Sequence, residues 1–205
     1  IPMYSNPSGI TYSEEIVRRL AYMKTKAPDF RIIWDNAYAL HHLYDTPDKL
    51  ADIISLCREA GNPDRVYMFS STSKVTFPGA GVAFIASSRA NIDHLKKLIS
   101  KQTIGYNKIN MLLHVRFLKN ADNVREHMRK HAEILRPKFE AVNEILEKNL
   151  SGKGIAAWNK PNGGYFISLD VYEGCAKKTV QLAKEAGVVF TPAGATFPYG
   201  NDPKD

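Results

Sequence analysis

The chain has 205 residues, 44% hydrophobic and 24% charged, a composition that excludes collagen-like, low-complexity and largely disordered proteins. No segment reaches the roughly 20 consecutive apolar residues of a membrane-spanning helix, so we expect no membrane partner. The net charge is +7, but lysines and arginines are spread over helical segments, which favours solvated helix faces over a nucleic-acid surface.

The first 107 residues alternate between helical and strand-like segments. Ser13 can cap a first helix, and the apolar run that begins at Phe30 is typical of a buried strand. This alternation indicates an α/β domain. In chain order we predict a helix from residue 14, a strand within 30–38, a helix from Thr46–Asp48 to about residue 60, and strands at 65–71 and 81–87.

The second half has a different pattern, which predicts a smaller α+β unit attached through a long helix. Residues 108–149 are helical in pattern, with a break expected at 120–122 and a kink or a new first turn at Pro137. We therefore divide the chain into a domain of residues 1–107 and a linking helix with a second domain in 108–205. After the helical stretch we predict strands at 154–158 and 164–169, a helix at 176–186 and a strand at 188–191.

Histidines and cysteines offer no metal site. His127 and His131 are four residues apart, but Met128 stands where a zinc protease helix has its general base, so we interpret both as surface residues. His41 and His42 are adjacent and are predicted to pack or to form hydrogen bonds. The two cysteines are far apart in the sequence, which excludes a zinc ribbon and predicts reduced thiols in the cytoplasm.

Four short segments carry chemistry in a meaningful order, although each alone also fits an ordinary turn. Asp35 ends an apolar strand, where a carboxylate must find a partner, and Tyr38 follows three residues later. Lys74 follows three hydroxyl residues directly after another strand, and such a turn can hold an anion. The two remaining segments are the turns Asn6–Gly9 and Pro161–Phe166.

Taken together, these residues predict a site for pyridoxal phosphate. The cofactor requires a lysine for its aldehyde, an acid against its pyridine nitrogen, hydrogen-bond donors for its phenolic oxygen and a cradle for its phosphate. The ends of parallel strands are where α/β proteins bind such ligands.

The series NPSG, DNAY, SSTSK with PGAG, and NGGYF resembles the fold-type I, class I/II aminotransferases, close to a divergent bacterial subgroup of aspartate aminotransferases. The resemblance runs from residue 6 to residue 200. It implies the mostly parallel sheet of a large, partly present pyridoxal phosphate domain and a smaller α+β C-terminal domain. It also implies a homodimer that acts on an amino acid, possibly aspartate, and a 2-oxo acid.

The resemblance assigns a role to each candidate residue on the reactive side of the cofactor. Lys74 forms the covalent link to the cofactor and shuttles the substrate proton. Asp35 keeps the pyridine nitrogen protonated. Tyr38 and Asn6 bind the phenolic oxygen of the ring.

The resemblance assigns the phosphate to hydroxyl groups. Ser71 and Ser73 hold it, while Gly81 stands where most relatives have an arginine that pairs with the phosphate. A buried phosphate needs a compensating cation, and Lys108 is our candidate, although a solvated lysine at a helix start fits that position equally well.

Enzymes of this family are about twice as long, so we expect a fragment of a longer protein. The N-terminal phosphate loop, the aromatic residue that stacks on the ring, and the arginine that clamps the substrate carboxylate are not found in this sequence. Two other functions keep the same residues: a lyase that uses the same cofactor, and the cofactor-binding sensor domain of a transcription regulator.

Overall fold

The computed structural model describes residues 1–203, which form two compact units. The first unit comprises Ile1–Lys138 and Pro161–Phe166, and the second comprises Phe139–Lys160 and the chain from Ile167 onward. The domain boundary that we placed after residue 107 stays a prediction about the whole protein.

The first unit contains the strands and helices that position the candidate site. Its strands are β1 (Ile32–Asp35), β2 (Val66–Ser71) and β3 (Ala83–Ala86). Its helices are α1 (Glu14–Tyr22), α2 (Ile53–Glu59), α3 (Arg89–Gln102), α4 (Lys108–Leu118) and the first part of α5 (Ala121–Leu150).

The sheet of the first unit is mixed, with the strand order β1-β2-β3. β1 pairs with β2 in parallel, Asp35 lying opposite Phe69, whereas β3 is antiparallel to β2. The α/β class is confirmed by this sheet and by the structural neighbours reported below. The mostly parallel sheet expected of the whole domain stays a prediction.

The core of the first unit lies between the sheet and the helices α1 and α2. Because β1 is apolar and α1 has an apolar stripe, both bury side chains against α2. Arg65, just before β2, is itself buried, and its guanidinium Nη1 donates to the carbonyls of Leu20, Ala21 and Met23 at 2.7–3.2 Å. These bonds satisfy carbonyls that the end of α1 leaves unpaired. The buried cluster comprises Val17, Ala21, Trp34, Ile53, Leu56, Cys57 and Val66.

Two helices differ from our sequence predictions. The helix predicted from Thr46–Asp48 begins only at Ile53, because the carboxylate of Asp52 accepts hydrogen bonds from two amides of the first turn. Helix α3 was not predicted. Its signal was Ser88, whose hydroxyl caps the helix by accepting from the amide of Asn91.

The second unit holds the rest of α5, the strands β4 (Ala156–Trp158) and β5 (Leu169–Val171), and α6 (Ala176–Glu185). β4 and β5 are antiparallel. The strand predicted at 164–169 was wrong in position, and residues 188–191 form no strand. Pro137 lies inside α5 and does not end it. Among residues 1–203, no helix has the length and apolar character required to cross a membrane.

Candidate active site

The candidate site begins where β1 and β2 end. Asp35 is the last residue of β1 and Ser71 the last of β2, and because the two strands are parallel neighbours their ends lie on the same edge of the sheet. The carboxylate of Asp35 accepts a hydrogen bond from the amide of Ala37 at 3.1 Å. Asp35 and Ser71 both line a cavity of about 350 Å³.

Tyr38 follows in the loop after β1 and is only 2% exposed. Its ring packs with Met3 and Tyr4 and makes edge contacts with Tyr165 and Phe166 at centroid distances of 5.9 and 6.3 Å. Burial raises the pKa of the Tyr38 phenol, and the negative charge of Asp35 raises it further. The phenol therefore stays protonated at neutral pH and can donate a hydrogen bond.

Lys74 lies in the turn after β2, with an exposed side chain. Its Nζ is 5.7 Å from the centroid of the Tyr38 ring. Its backbone carbonyl accepts from Nε2 of His41 at 3.1 Å and from the hydroxyl of Tyr165 at 3.3 Å. An amine, a phenol and a carboxylate, from Lys74, Tyr38 and Asp35, are thus gathered at one edge of the sheet.

The hydroxyl turn that precedes Lys74 is fixed by a buried threonine. The amide of Thr72 donates to the carbonyl of Val82 at 2.9 Å, and the amide of Val82 donates to the hydroxyl of Thr72 at 2.8 Å. The half-buried residues Ser71 and Ser73 flank this threonine, and the amide of Ser73 donates to the hydroxyl of Ser71.

Gly81 lies directly beside Ser73 of this turn. A Cβ at this position would lie 2.3 Å from Oγ of Ser73 and 3.0 Å from its amide nitrogen. A side chain at Gly81 would therefore require the Ser73 hydroxyl to rotate and the backbone of Ser73 to shift.

The NGG segment fits around Tyr4, a residue that the sequence analysis missed. Tyr4 is fully buried, and its hydroxyl accepts from the amide of Asp48 at 3.2 Å and forms a hydrogen bond with Nδ1 of His42 at 2.9 Å. Burial is the main reason that the pKa of Tyr4 rises to about 12. A Cβ at Gly163 would lie 2.3 Å from the Tyr4 ring, and one at Gly164 would lie 2.7 Å from Cβ of Tyr4.

Asn6 stands apart from the other candidates. It is exposed in its turn, and within residues 1–203 no hydrogen bond or ring contact joins it to Tyr38. Its predicted role stays a prediction. His41 and Tyr165, which bond the lysine turn, were not singled out as site residues; the signal for Tyr165 was its place in NGGYF.

The comparisons with known proteins agree on one family. The family model described as aspartate amino-transferase matches residues 1–205. A Mycolicibacterium smegmatis protein named as an aminotransferase is 52% identical over 205 residues, which are 100% of this chain and 48% of that protein.

Solved structures agree as well. An aspartate transaminase from Corynebacterium glutamicum has a TM-score of 0.94 and 48% identity, covering 100% of this chain and 48% of that one. An α-aminoadipate aminotransferase from Thermus thermophilus, complexed with N-(5'-phosphopyridoxyl)-L-leucine, has a TM-score of 0.75 and 25% identity over 95% of this chain and 48% of that one. The chain thus spans about half the length of these proteins.

Proposed function

This chain belongs to the aspartate aminotransferase family, and from that premise we propose that it forms the lysine-bearing half of a pyridoxal phosphate-dependent aminotransferase. The observation that carries the proposal is the meeting of Asp35, Tyr38 and Lys74 at one edge of the sheet, directly beside the hydroxyl turn.

The residues fit the proposed cofactor group by group. The amine of Lys74 suits the aldehyde, the carboxylate of Asp35 suits the pyridine nitrogen, and the phenol of Tyr38 suits the phenolic oxygen. Beside them, the hydroxyls of Ser71 and Ser73, in the turn that Gly81 approaches closely, suit the phosphate. Asn6 would add a second donor to the phenolic oxygen.

The chemistry follows from these positions. When bound, the cofactor supplies an electron sink for negative charge at the substrate α-carbon. Asp35 would hold a proton on the ring nitrogen through its negative charge. Lys74 Nζ would bind the cofactor aldehyde and, once the substrate amine has taken its place there, would move a proton from the substrate α-carbon to the former aldehyde carbon. The protonated Tyr38 would orient the ring by donating to its phenolic oxygen.

We assign an amino acid and a 2-oxo acid as substrates. Aspartate is the first amino acid to test, because the Corynebacterium glutamicum structure is that of an aspartate transaminase. The whole enzyme is proposed to be a homodimer. A cytoplasmic location fits the two free cysteines, Cys57 and Cys175.

The lyase and sensor alternatives use the same residues but are less favoured, since the matching relatives are named as aminotransferases. A lyase would release ammonia from a single substrate. A transaminase instead consumes one amino acid for each amino acid that it forms, so product stoichiometry separates the two.

Borohydride reduction of the full-length holoenzyme tests the proposal. Peptide mapping should place the pyridoxyl group on Lys74, because its amine lies against Tyr38. The matched control is Lys74→Arg, which keeps the positive charge and should carry no label. A label on any other lysine of the wild-type enzyme would contradict the assignment.

A further inference from the structure

Three histidines bond three consecutive residues of the turn that bears Lys74. No two of them come from the same element: His41 lies in the loop after β1, His114 on α4 and His127 on α5. Nε2 of His41 lies 3.1 Å from the carbonyl oxygen of Lys74, and Nε2 of His127 lies 2.7 Å from that of Val75. Nε2 of His114 lies 3.0 Å from Oγ1 of Thr76.

The chemistry of the acceptors places a hydrogen on one nitrogen of each ring. Carbonyl oxygens only accept, so His41 and His127 each carry a hydrogen on Nε2, and His114 carries one on Nδ1, which faces the carbonyl of Asn110. His41 is 4% exposed, and burial is the main reason that its pKa falls to about 4. It is therefore neutral at pH 7, and its second nitrogen, Nδ1, is buried with no hydrogen-bond partner among the described residues.

His41 also contacts the residues that face the proposed cofactor. Its ring lies 5.5 Å from that of Tyr38 and 5.4 Å from that of Tyr165, measured between centroids. Tyr165 donates to the same carbonyl of Lys74. His41 thus joins the loop that carries Tyr38 to the backbone that carries the lysine.

The other two histidines fix the far side of the turn. His114 is 8% exposed, and its Nδ1 is held by the carbonyl of Asn110 one helical turn earlier. His127 packs edge-on against Phe117 at 5.2 Å. Both rings are therefore held by α4 and α5, so the turn is held from two helices as well as from the sheet.

We propose that His41, His114 and His127 act as a positioning clamp on residues 74–76, fixing the backbone from which Lys74 Nζ reaches the cofactor and the substrate. A lysine side chain has four rotatable bonds, so the amine is well directed only if its backbone is fixed. The clamp itself rests on the contacts above, and its catalytic consequence rests on the proposed function.

Hydrogen exchange of the full-length protein without cofactor tests the clamp. The amides of Val75 and Thr76 both donate to the Thr72 carbonyl at 2.9 Å, so their exchange reports opening of the turn. His41→Leu removes the donor to Lys74 and should accelerate their exchange about tenfold, as expected for one lost buried hydrogen bond. His41→Gln keeps a donor at a similar reach and should restore most of the protection.

Two controls separate a local effect from general destabilisation. Peptides that cover α2 in the buried cluster should exchange at the wild-type rate in both variants. His94→Leu makes the same substitution at an exposed position on α3 and should leave residues 74–76 unchanged. The clamp would be overturned if residues 75 and 76 of His41→Leu exchanged at the wild-type rate, or if exchange in α2 accelerated as much as exchange in the turn.

A kinetic readout addresses the consequence for catalysis. In the holoenzyme, His41→Leu should lower kcat about tenfold with little change in KM, and His41→Gln should recover most of it. If His41→Leu does not fold, His127→Leu tests the same clamp at a half-buried position. Absence of a pyridoxyl label on wild-type Lys74 would defeat the proposed function, whereas the exchange result alone decides the clamp.

Discussion

The lysine side of the candidate site, formed by Asp35, Tyr38 and Lys74, is built differently from its hydroxyl side, formed by Ser71, Ser73 and Gly81. On the lysine side, a buried phenol and bonded backbone groups fix the reactive residues from several elements. The hydroxyl side consists of short side chains on a single turn with one close backbone approach.

The difference indicates which property each side controls. Rigid placement of an acid, a phenol and an amine governs the rate of a proton transfer. Short hydroxyls bind a phosphate but supply no positive charge of their own. We therefore expect changes on the lysine side to reduce turnover strongly, and changes on the hydroxyl side to weaken cofactor retention moderately.

The largest effect is expected for Asp35→Asn. The amide keeps an oxygen that can accept from Ala37, so the melting temperature should change little. It removes the negative charge that we propose holds the ring proton, and kcat should fall at least about 100-fold, or about 2.7 kcal/mol. Steady-state kinetics with aspartate and 2-oxoglutarate measure this change. Near-normal turnover would show that the charge of Asp35 does not matter.

The stability of the protein should depend on pH through His41, which donates to the carbonyl of Lys74 on the lysine side of the site. Burial lowers the pKa of His41 from 6.5 to about 4; the charges of His131 and Lys74 add to this, and the hydrogen bond to the Lys74 backbone opposes it. The unfolded chain therefore takes up the proton first as pH falls, so stability is lost between about pH 6.5 and pH 4, by up to about 3 kcal/mol.

The matched variant for this prediction is His41→Gln, which has no titrating group at that position. Urea unfolding of both proteins at pH 7 and pH 4.5 should show a steeper loss for the wild type. Parallel losses would mean that His41 is not buried in neutral form.

Gly81→Ala tests the hydroxyl side. Its Cβ would meet Ser73, and although the hydroxyl can rotate away, the amide nitrogen at 3.0 Å can yield only if the turn shifts. We expect the dissociation constant of the cofactor to rise about tenfold, in line with about 1–3 kcal/mol for overpacking. The control is Gly105→Ala, where a Cβ meets nothing within 4 Å. Equal cofactor affinity in both variants would contradict a tight approach at Gly81.

The sequence pattern indicated strand ends more readily than contacts between distant segments. Strand ends and motif order led us to predict one site for Asp35 and Lys74, and in the fold these residues follow two neighbouring parallel strands; their roles stay predictions. His127 was interpreted as a surface residue, and this was wrong in part, since it is half-buried and donates to Val75. That contact spans 52 residues of sequence, and helical periodicity carries no information about it.

Element boundaries show the same limit. The helix that we predicted to open at Thr46–Asp48 begins at Ile53, with Asp52 as its N-cap. Asp48 instead accepts from the side chain of Asn162, and its amide donates to Tyr4. These contacts join Asp48 to residues 44 and 114 positions away, which a local sequence pattern does not reveal.

The smallest effect on cofactor retention is expected for Lys108→Ala. This variant tests whether the amine of Lys108 supplies positive charge to a phosphate held on the hydroxyl side. Lys108 is the first residue of α4, and Asn110 on the same turn donates from Nδ2 to the carbonyl of Ala80 at 2.7 Å, beside Gly81. Because the amine is exposed, salt screens it, and its loss should weaken cofactor retention by only about 1 kcal/mol, or about fivefold. Fluorescence titration should show this difference shrinking as salt is raised, while Lys101→Ala, an exposed change on α3, has no effect. A salt-independent or absent effect would mean that Lys108 is a solvated helix-start lysine and that the phosphate charge is balanced elsewhere.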